Sequence, residues 1–283
     1  MHLVECPRDA MQGLAHFIPT ARKTAYLQAL LAVGFDSLDF GSFVSPKAIP
    51  QLADTADVLA NLDLSRTRTR LLAIIANERG AEAATQYPEI SYLGYPLSVS
   101  ETFQQRNTNR GIAEALTDVA RIQERAVRAG QALVVYLSMG FGNPYGDPYE
   151  PAILAAFTER LATLGVGIVS LADTVGSGDA ATIENAFRTL IPAFPAITFG
   201  AHLHTTPATW EAKTAAAYAG GCCRFDGALG GLGGCPMAGD TLTGNLPTEN
   251  LIAWLDGHGV ALTLDREALA HAKWLSATTF LGY

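Results

Sequence analysis

Two segments far apart in the chain carry side chains that could hold a metal ion and move a proton. Residues 5–12 contain Arg8 and Asp9, and a second segment contains His202 and His204. Alternate residues of a strand point to the same side, so both imidazoles can face one ion. The His-x-His spacing also arises by chance, and Arg8 and Asp9 could instead serve as a structural ion pair and a helix cap. The chemistry therefore depends on whether the fold brings the two segments together.

Two further candidates lie in and after a glycine-rich segment. Cys235 follows the run 230–234, and Asn245 follows Gly244. The amide oxygen of Asn245 and the carboxylate of Asp9, together with the two imidazoles, suit Mg²⁺ or Mn²⁺ better than a closed structural zinc site. The alternatives are that the Gly-Asn dipeptide is simply a turn, and that the thiol is incidental to a tight loop.

Composition limits the possible classes of function. The chain has 283 residues, of which 49% are apolar and 16% are charged, so it can bury a large core. A formal net charge of -8 argues against a broad nucleic-acid-binding surface, which needs clustered Lys and Arg. No apolar run is long enough to cross a bilayer, and the first residues lack a targeting pattern. The four cysteines are not at zinc-ribbon spacing, so we expect free thiols in a cytoplasmic protein without nucleic-acid or membrane partners.

Strand-like and helix-like segments alternate along the whole sequence. Most of the predicted strands are continuous apolar runs, as expected for strands buried on both faces of a parallel sheet. They are residues 3–6, 37–43, 70–76, 89–99, 132–138, 167–171, 197–204 and 224–229. A first helix is expected between a cap at Thr20 and a stop at Gly34. The other predicted helices are residues 50–62, 78–86, 109–130, 151–165, 182–193, 209–219, 248–257 and 265–275.

Eight repeats of strand and helix predict an α/β fold, a (β/α)8 TIM barrel. We expect residues 1–283 to form a single catalytic domain, with the last predicted helix packed outside the barrel. In such a barrel the carboxyl ends of the strands converge on one face, where the chemistry is placed. Polar residues gather at these predicted ends: Asp9, Asp39, Asn77, Ser100, Glu101, Asp173, His202, His204 and Cys235.

The residues at these ends resemble those of the 3-hydroxy-3-methylglutaryl-CoA (HMG-CoA) lyase family, which are metal-dependent carbon–carbon lyases on TIM barrels. The similarity covers almost the full length, and its most specific stretches are residues 42–47 and 231–236. The other matching stretches are residues 7–9 with Gln12, Ser100 and Glu101 with Asn107, and residues 173–176, 202–204, 225–227 and 244–249.

This resemblance implies an activity and a set of roles. The implied reaction is retro-Claisen cleavage of a 3-hydroxyacyl-CoA, with HMG-CoA giving acetyl-CoA and acetoacetate. It implies that Asp9, His202, His204 and Asn245 hold a divalent cation, for which Mg or Mn is expected. Arg8 would polarise the thioester carbonyl and stabilise the enolate, and Cys235 would take part in proton transfer; Asp9 and His202 count among the catalytic residues.

The resemblance also implies where the rest of the substrate lies. The expected pocket residues are Gln12, Asp39, Ser42, Asn107, Asp173 and Thr174. Lys47 and Arg106 are candidates for contacts to the negative charges of coenzyme A, although each could equally be a solvated surface charge. Barrels of this kind are often dimers, so a homodimer is possible.

Three departures from the family pattern lie near the expected site. Residues 10–14 read Ala-Met-Gln-Gly-Leu where the family has Gly-Leu-Gln-Asn-Glu, so a carboxylate at Leu14 is missing. Asp39 replaces a longer glutamate, and Thr205 replaces an acidic residue beside the second histidine. Such changes can retune substrate choice. Three alternatives therefore stay open. The substrate could be a close analogue of HMG-CoA, the reaction could be that of an aldolase or a Claisen-type synthase, or the barrel could bind a metabolite without catalysis.

Overall fold

Eight parallel strands form a closed barrel in a computed structural model that describes residues 1–234 and 243–281. The barrel strands are β1 (His2–Glu5), β2 (Ser37–Ser42), β3 (Arg70–Ile74), β4 (Ile90–Ser98), β5 (Ala132–Ser138), β6 (Ile168–Asp173), β7 (Thr198–Thr205) and β8 (Arg224–Gly227). A short ninth strand, β9 (Gly244–Asn245), runs antiparallel to β7.

The barrel closes because each strand pairs with its neighbours on both sides. Sequential strands pair from β1 to β8, and β1 also pairs with β8, with Leu3 opposite Phe225. The predicted (β/α)8 barrel is therefore confirmed. All eight predicted strands are present, and their ends differ from the prediction by at most two residues.

Helices surround the barrel in the order expected of a βα repeat. They are α1 (Pro7–Gln12), α2 (Thr20–Val33), α3 (Thr55–Ala60), α4 (Glu78–Ala84), α5 (Glu101–Thr108), α6 (Ile112–Arg128), α7 (Pro151–Thr163), α8 (Ala180–Ala193), α9 (Trp210–Ala219), α10 (Thr248–Gly257) and α11 (Arg266–Phe280). The predicted extra helix at the C-terminal end is α11, which packs against α2. Among the helices that the structure describes, none has the length and apolar character needed to cross a membrane.

The last predicted helix, 265–275, extends to Phe280, and two other predicted helices are divided differently in the structure. The segment predicted as one helix over 109–130 contains only α6, and a separate helix α5 precedes it. Ser100 begins α5 by accepting a backbone hydrogen bond, and Asn109 ends it with a left-handed φ of 56°. The segment 50–62 is divided into a 3-10 turn, Pro50–Leu52, and the helix α3.

A buried ion pair explains the division of segment 50–62. Asp54 lies at the break and accepts hydrogen bonds from Lys23 Nζ and Thr20 Oγ1, each at 2.7 Å. Thr20 was expected to cap α2, but Pro19 holds the cap position and Thr20 is the first residue of the helix, with its hydroxyl directed to Asp54. Gly34 ends α2 as predicted, with a φ of 83° that favours glycine.

The interior of the barrel has a small apolar layer of its own. Leu72, Val134 and Tyr136 are buried there, with Ile74 and Tyr92 packed against them. Ile74 and Tyr136 also line a cavity at the carboxyl ends of the strands. The closed end of the barrel is thus filled by side chains, and the open end holds the candidate site.

Candidate metal centre and active site

His202 and His204 lie at the end of β7 with their rings 5.3 Å apart, and each has one ring nitrogen engaged from behind. His204 Nδ1 lies 2.9 Å from the carbonyl oxygen of Thr174, and His202 Nδ1 lies 3.2 Å from Asp226 Oδ2. A carbonyl and a carboxylate can only accept, so each Nδ1 carries a proton, and in the neutral ring Nε2 then has a free lone pair. His204 Nε2 is buried and has no hydrogen-bond partner among the described residues.

Asp9 completes a group of three potential ligands. Its carboxylate and one ring nitrogen of each histidine all lie within 4.8 Å of one another. Burial alone would raise the pKa of Asp9, but Arg8 and the two imidazoles lower it to about 2. Asp9 is therefore ionised at neutral pH, as a hard-metal ligand must be.

Asn245 reaches the same group through β9. The antiparallel pairing of β9 with β7 puts Asn245 opposite His204, which was not foreseen from the sequence. The Asn245 amide nitrogen donates to Asp9 Oδ2 at 2.6 Å and to the carbonyl of Leu232 at 2.7 Å. With its nitrogen engaged twice, the amide oxygen is the atom that could ligate a cation.

The two histidines differ in their electrostatic surroundings. Burial and the neighbouring imidazole lower the pKa of His204 to about 4, so this ring is neutral at pH 7. Burial also lowers the pKa of His202, but the hydrogen bond and the charge of Asp226, with the charge of Asp9, outweigh it and the net direction is upward. His202 is thus the ring with a buried anion behind it.

Arg8 lies beside the candidate ligands and is held by Asp9 and two neighbouring side chains. Its Nε and Nη2 donate to Asp39 Oδ2 at 3.0 and 2.6 Å, and its Nη1 donates to Asp9 at 2.9 Å and to Gln12 at 2.8 Å. These contacts use four of the five N–H groups of the guanidinium. Asp39 is buried behind Arg8, and burial raises the pKa of Asp39 to about 6 although Arg8 opposes the shift.

A cavity of about 310 Å³ opens in front of these residues. Of the residues predicted from the sequence, it is lined by Arg8, Asp9, Gln12, Asn107, Thr174, His202 and His204. Its other wall is apolar and is formed by Val44, Ala48, Ile49, Ile74, Ala76, Pro96, Phe103 and Ala172. One cavity therefore presents an ionisable pole next to a surface suited to carbon chains.

Three predicted pocket residues do not line this cavity. Asp39 lies behind Arg8, and the hydroxyl of Ser42 donates to the carbonyl of Ile74 at 3.2 Å. Asp173 points to the outer side of the barrel, where its Oδ2 accepts from Lys213 Nζ at 2.5 Å. These side chains can act on the cavity only through the residues that they hold.

The two candidate coenzyme A contacts are exposed and near the cavity mouth. Lys47 lies in the turn after β2, next to Ala48, which lines the cavity. Arg106 lies on α5, with its guanidinium carbon 4.8 Å from the centre of the Tyr145 ring. Cys235 lies in segment 235–242, outside the described residues.

Three residues behind the candidate ligands were missed by sequence reasoning. Asp226 contacts His202, Arg224 contacts Asp226 at 2.8 Å, and Lys213 donates to the carbonyl of His204 at 3.0 Å. The i, i+2 spacing of Arg224 and Asp226 on a strand was a signal, because it puts both on one side. The role of Lys213 leaves no comparable local pattern.

Known proteins are similar to this chain over almost its full length. The HMGL-like family model matches residues 4–275. An (R)-citramalyl-CoA lyase of Chloroflexus aurantiacus is 33% identical, over 96% of this chain and 88% of its own length. A hydroxymethylglutaryl-CoA lyase of Bacillus subtilis is 33% identical, over 95% of this chain and 89% of its own. The structure of an HMG-CoA lyase from Acinetobacter baumannii, in complex with coenzyme A and 3-methylmalate, superposes with a TM-score of 0.89 at 28% identity, covering 99% of this chain and 90% of that one.

The chain belongs to the HMGL-like family. The predicted resemblance to HMG-CoA lyases is therefore confirmed, and the protein is an enzyme of the lyase class. The relatives differ among themselves in the acyl group named for each, so membership of the family leaves the substrate to be argued from the site.

Proposed function

We propose that this protein cleaves a 3-hydroxyacyl-CoA by a metal-dependent retro-Claisen reaction, with HMG-CoA or a close analogue as substrate. One observation carries the proposal: Asp9, His202 and His204 meet at the wall of one cavity, with Arg8 beside them. Two relatives of equal identity, one named for citramalyl-CoA and one for hydroxymethylglutaryl-CoA, support this substrate class. Both substrates are thioesters with a tertiary hydroxyl on the third carbon.

The side chains fit a divalent cation held by Asp9, His202, His204 and Asn245. The buried Nε2 of His204 lacks a partner among the described residues, and a cation is the partner that its lone pair would accept. The mixed nitrogen and oxygen set favours Mg²⁺ or Mn²⁺. When bound, such an ion supplies Lewis acidity that lowers the pKa of the substrate hydroxyl.

The proposed cleavage removes one proton from the substrate hydroxyl and adds one proton to the enolate. Loss of the hydroxyl proton to a base lets the oxygen form a ketone while the bond between the second and third carbons breaks. The bonding electrons leave with the thioester fragment as an enolate, which then takes a proton. From HMG-CoA the products are acetyl-CoA and acetoacetate. Cys235 is the proposed participant in proton transfer to the enolate carbon.

Arg8 is the proposed stabiliser of the enolate oxygen. Its contacts to Asp39, Asp9 and Gln12 hold the guanidinium in place before substrate arrives, and the fifth N–H has no acceptor among the described residues. A donor fixed in advance stabilises developing charge without reorganising in the transition state. This is the condition that a carbon–carbon lyase must meet at its thioester.

The coenzyme A moiety is proposed to pass between β2 and α5. Phe103 lines the cavity from α5, and Arg106 lies one turn further along the same helix, stacked on Tyr145. Lys47 is exposed in the turn after β2, next to Ala48, which lines the cavity. Two cations at the mouth suit the phosphates of coenzyme A, and the apolar wall inside suits its pantetheine chain.

A direct assay tests the proposal. Purified protein is supplied with HMG-CoA or (R)-citramalyl-CoA and with Mg²⁺, Mn²⁺ or EDTA, and release of acetyl-CoA is followed. We expect turnover of at least one thioester that EDTA abolishes and added metal restores. Turnover unaffected by EDTA would refute the metal dependence of the reaction. If neither thioester were cleaved, the proposed substrate class would be refuted.

Removing a ligand supplies the matching prediction. Asp9→Asn and His204→Ala are each expected to lower metal-dependent turnover by at least about 10³-fold. The first removes the one carboxylate among the described residues that line the cavity, and the second removes an imidazole ligand. The control is His271→Ala on the outer helix α11, where the imidazole is exposed and distant from the cavity. Full activity in either ligand variant would contradict the metal assignment.

A further inference from the structure

A chain of buried charges runs from the ligand His202 into the interior of the barrel. Asp226 Oδ2 lies 3.2 Å from His202 Nδ1, and Asp226 Oδ1 accepts from Arg224 Nη1 at 2.8 Å. Asp226 and Arg224 are 2% and 5% exposed, so neither charge is shared with solvent. Neither residue lines the cavity, and the mechanism proposed above leaves both without a role.

Gly200 leaves space in the barrel interior for the guanidinium of Arg224. A Cβ atom added to Gly200 would lie 2.7 Å from Arg224 Nη1 and 2.9 Å from Ser170 Oγ. Gly200 lies opposite Arg224 in the pairing of β7 with β8. Any other residue at 200 would therefore displace the guanidinium that binds Asp226.

The pairing answers a physical requirement of the site. A buried carboxylate with no cation beside it is strongly disfavoured, because neither solvent nor protein stabilises its charge. Arg224 supplies that cation from the side away from the cavity, and so leaves Asp226 Oδ2 free to accept from His202. His204, by contrast, is held by a neutral carbonyl and needs no such support.

We propose that Asp226 and Arg224 are positioning residues for His202: Asp226 holds the imidazole with Nε2 turned to the cavity, and Arg224 holds Asp226. This inference rests on the proposed metal-dependent function, since it assigns His202 to a metal. Carboxylate partners of ligating histidines fix the tautomer and ring orientation, and their loss typically weakens metal binding by about 10- to 100-fold.

Metal affinity measured directly tests the inference. Mn²⁺ is titrated by calorimetry into the wild type and into Asp226→Asn, which can offer an amide N–H to His202 and so select the wrong tautomer. We expect the Kd for Mn²⁺ to rise by about 10- to 100-fold, and the visible spectrum of the Co²⁺-loaded protein to change. A residue with only a structural role would lower the Tm and leave both the Kd and the spectrum unchanged.

Asp54→Asn is the matched control. Asp54 is also a buried carboxylate paired to one cation, Lys23, but it lies against α2 and does not line the cavity. We expect it to lower the Tm and to leave the Mn²⁺ affinity as in the wild type. An equal loss of affinity in both variants would overturn the inference.

Three more variants test the inference if Asp226→Asn fails to fold. Gly200→Ala removes no polar group but crowds Arg224 and Ser170, so it should weaken Mn²⁺ binding. Arg224→Lys keeps the charge and should weaken binding less than Arg224→Met. Wild-type affinity in Gly200→Ala and Arg224→Met would overturn the inference. A wild type that binds no Mn²⁺ would instead overturn the proposed function itself.

Discussion

At the scale of single residues, the guanidinium of Arg8 is held by hydrogen bonds through most of its N–H groups. Four N–H groups contact Asp39, Asp9 and Gln12, and Asp39 Oδ1 is left without a hydrogen-bond partner among the described residues. An ammonium group has three donors at a single point and cannot reproduce this planar fork. Charge at position 8 is therefore not sufficient for the proposed role.

This difference gives a prediction for Arg8→Lys. The variant keeps the charge but loses the fixed donor, so we expect kcat to fall by about 10²- to 10³-fold with a smaller change in KM. Steady-state kinetics with the thioester that the wild type cleaves would measure it. Arg121→Lys, at an exposed pair with Glu78, is the control and should match the wild type. A kcat for Arg8→Lys within threefold of the wild type would contradict the assignment.

Residue spacing predicted the meeting of the three candidate ligands better than it predicted the pocket around them. Asp9, His202 and His204 were expected to meet because strand ends converge and because i, i+2 residues share a side. The same rule explains Asp173: its neighbours Ala172 and Thr174 line the cavity, so Asp173 faces the other side. Side-chain direction thus follows from sequence only once one neighbour has been placed.

At the scale of elements, the regular strands were predictable and the short pieces that complete the site were not. Helix α1 has six residues, fewer than two turns, and β9 has two, so neither shows a periodic pattern. Yet α1 places Arg8 and Asp9, and β9 places Asn245 opposite His204. Contacts from distant parts of the chain decide the structure of such pieces.

Helix α9 contributes one such contact through Lys213. Its buried ammonium donates to Asp173 Oδ2, to the carbonyl of Gly176 at 2.8 Å and to the carbonyl of His204 at 3.0 Å. It therefore joins the end of β6, the loop after it and the end of β7. Thr174, whose carbonyl binds His204 Nδ1, lies within the same loop.

The contact between Lys213 and Asp173 predicts that a second substitution restores part of the stability that the first one removes. Lys213→Met leaves Asp173 as a buried charge without a cation, so we expect a loss of about 3–5 kcal/mol in the free energy of unfolding. Adding Asp173→Asn removes that charge and should restore part of the stability, although two carbonyls still lack a donor. Urea unfolding of both variants, with Lys23→Met as a second buried lysine for comparison, measures the effect. A double variant less stable than the single one would contradict the pairing.

At the scale of the whole molecule, the alternation of strands and helices was enough to predict the barrel. Closure needs β1 to pair with β8, which are separated by more than 200 residues, and the parallel register of these strands is regular. The proposal that residues 1–283 act as one domain is supported by this pairing and by the packing of α11 against α2. The pattern did not reveal that a buried acidic side chain lies where β1 pairs with β8, a place that we call the seam.

Glu5 is the buried acid at that seam. It is fully buried on the outer side of β1, where Oε1 accepts from the backbone of Leu229 and Oε2 accepts from the hydroxyl of Thr248. Burial raises the pKa of Glu5 from 4.5 to about 8, and the two hydrogen bonds only partly oppose the shift. The folded protein therefore keeps this proton across a range in which the unfolded chain has released it.

The sign of the resulting pH dependence follows from linkage. Between about pH 4.5 and pH 8 the folded state holds a proton on Glu5 that the unfolded chain has released. The stability that protonated Glu5 contributes is therefore fully present below pH 4.5 and is lost as the pH rises to about 8. Glu5→Gln cannot ionise and keeps an acceptor for Leu229. Its stability relative to the wild type should therefore grow with pH across this window, by up to about 1.4 kcal/mol per pH unit.

Urea unfolding of both proteins at pH 5, 6, 7 and 8 measures this difference, and because only the difference is used, the other titrating groups cancel to first order. Glu211→Gln, an exposed carboxylate on α9, is the control and should run parallel to the wild type at every pH. If Glu5→Gln also ran parallel, Glu5 would be ionised in the folded protein despite its burial. Such a result would mean that the seam between β1 and β8 stabilises a carboxylate with only an N–H and a hydroxyl, which burial in a low-dielectric environment disfavours.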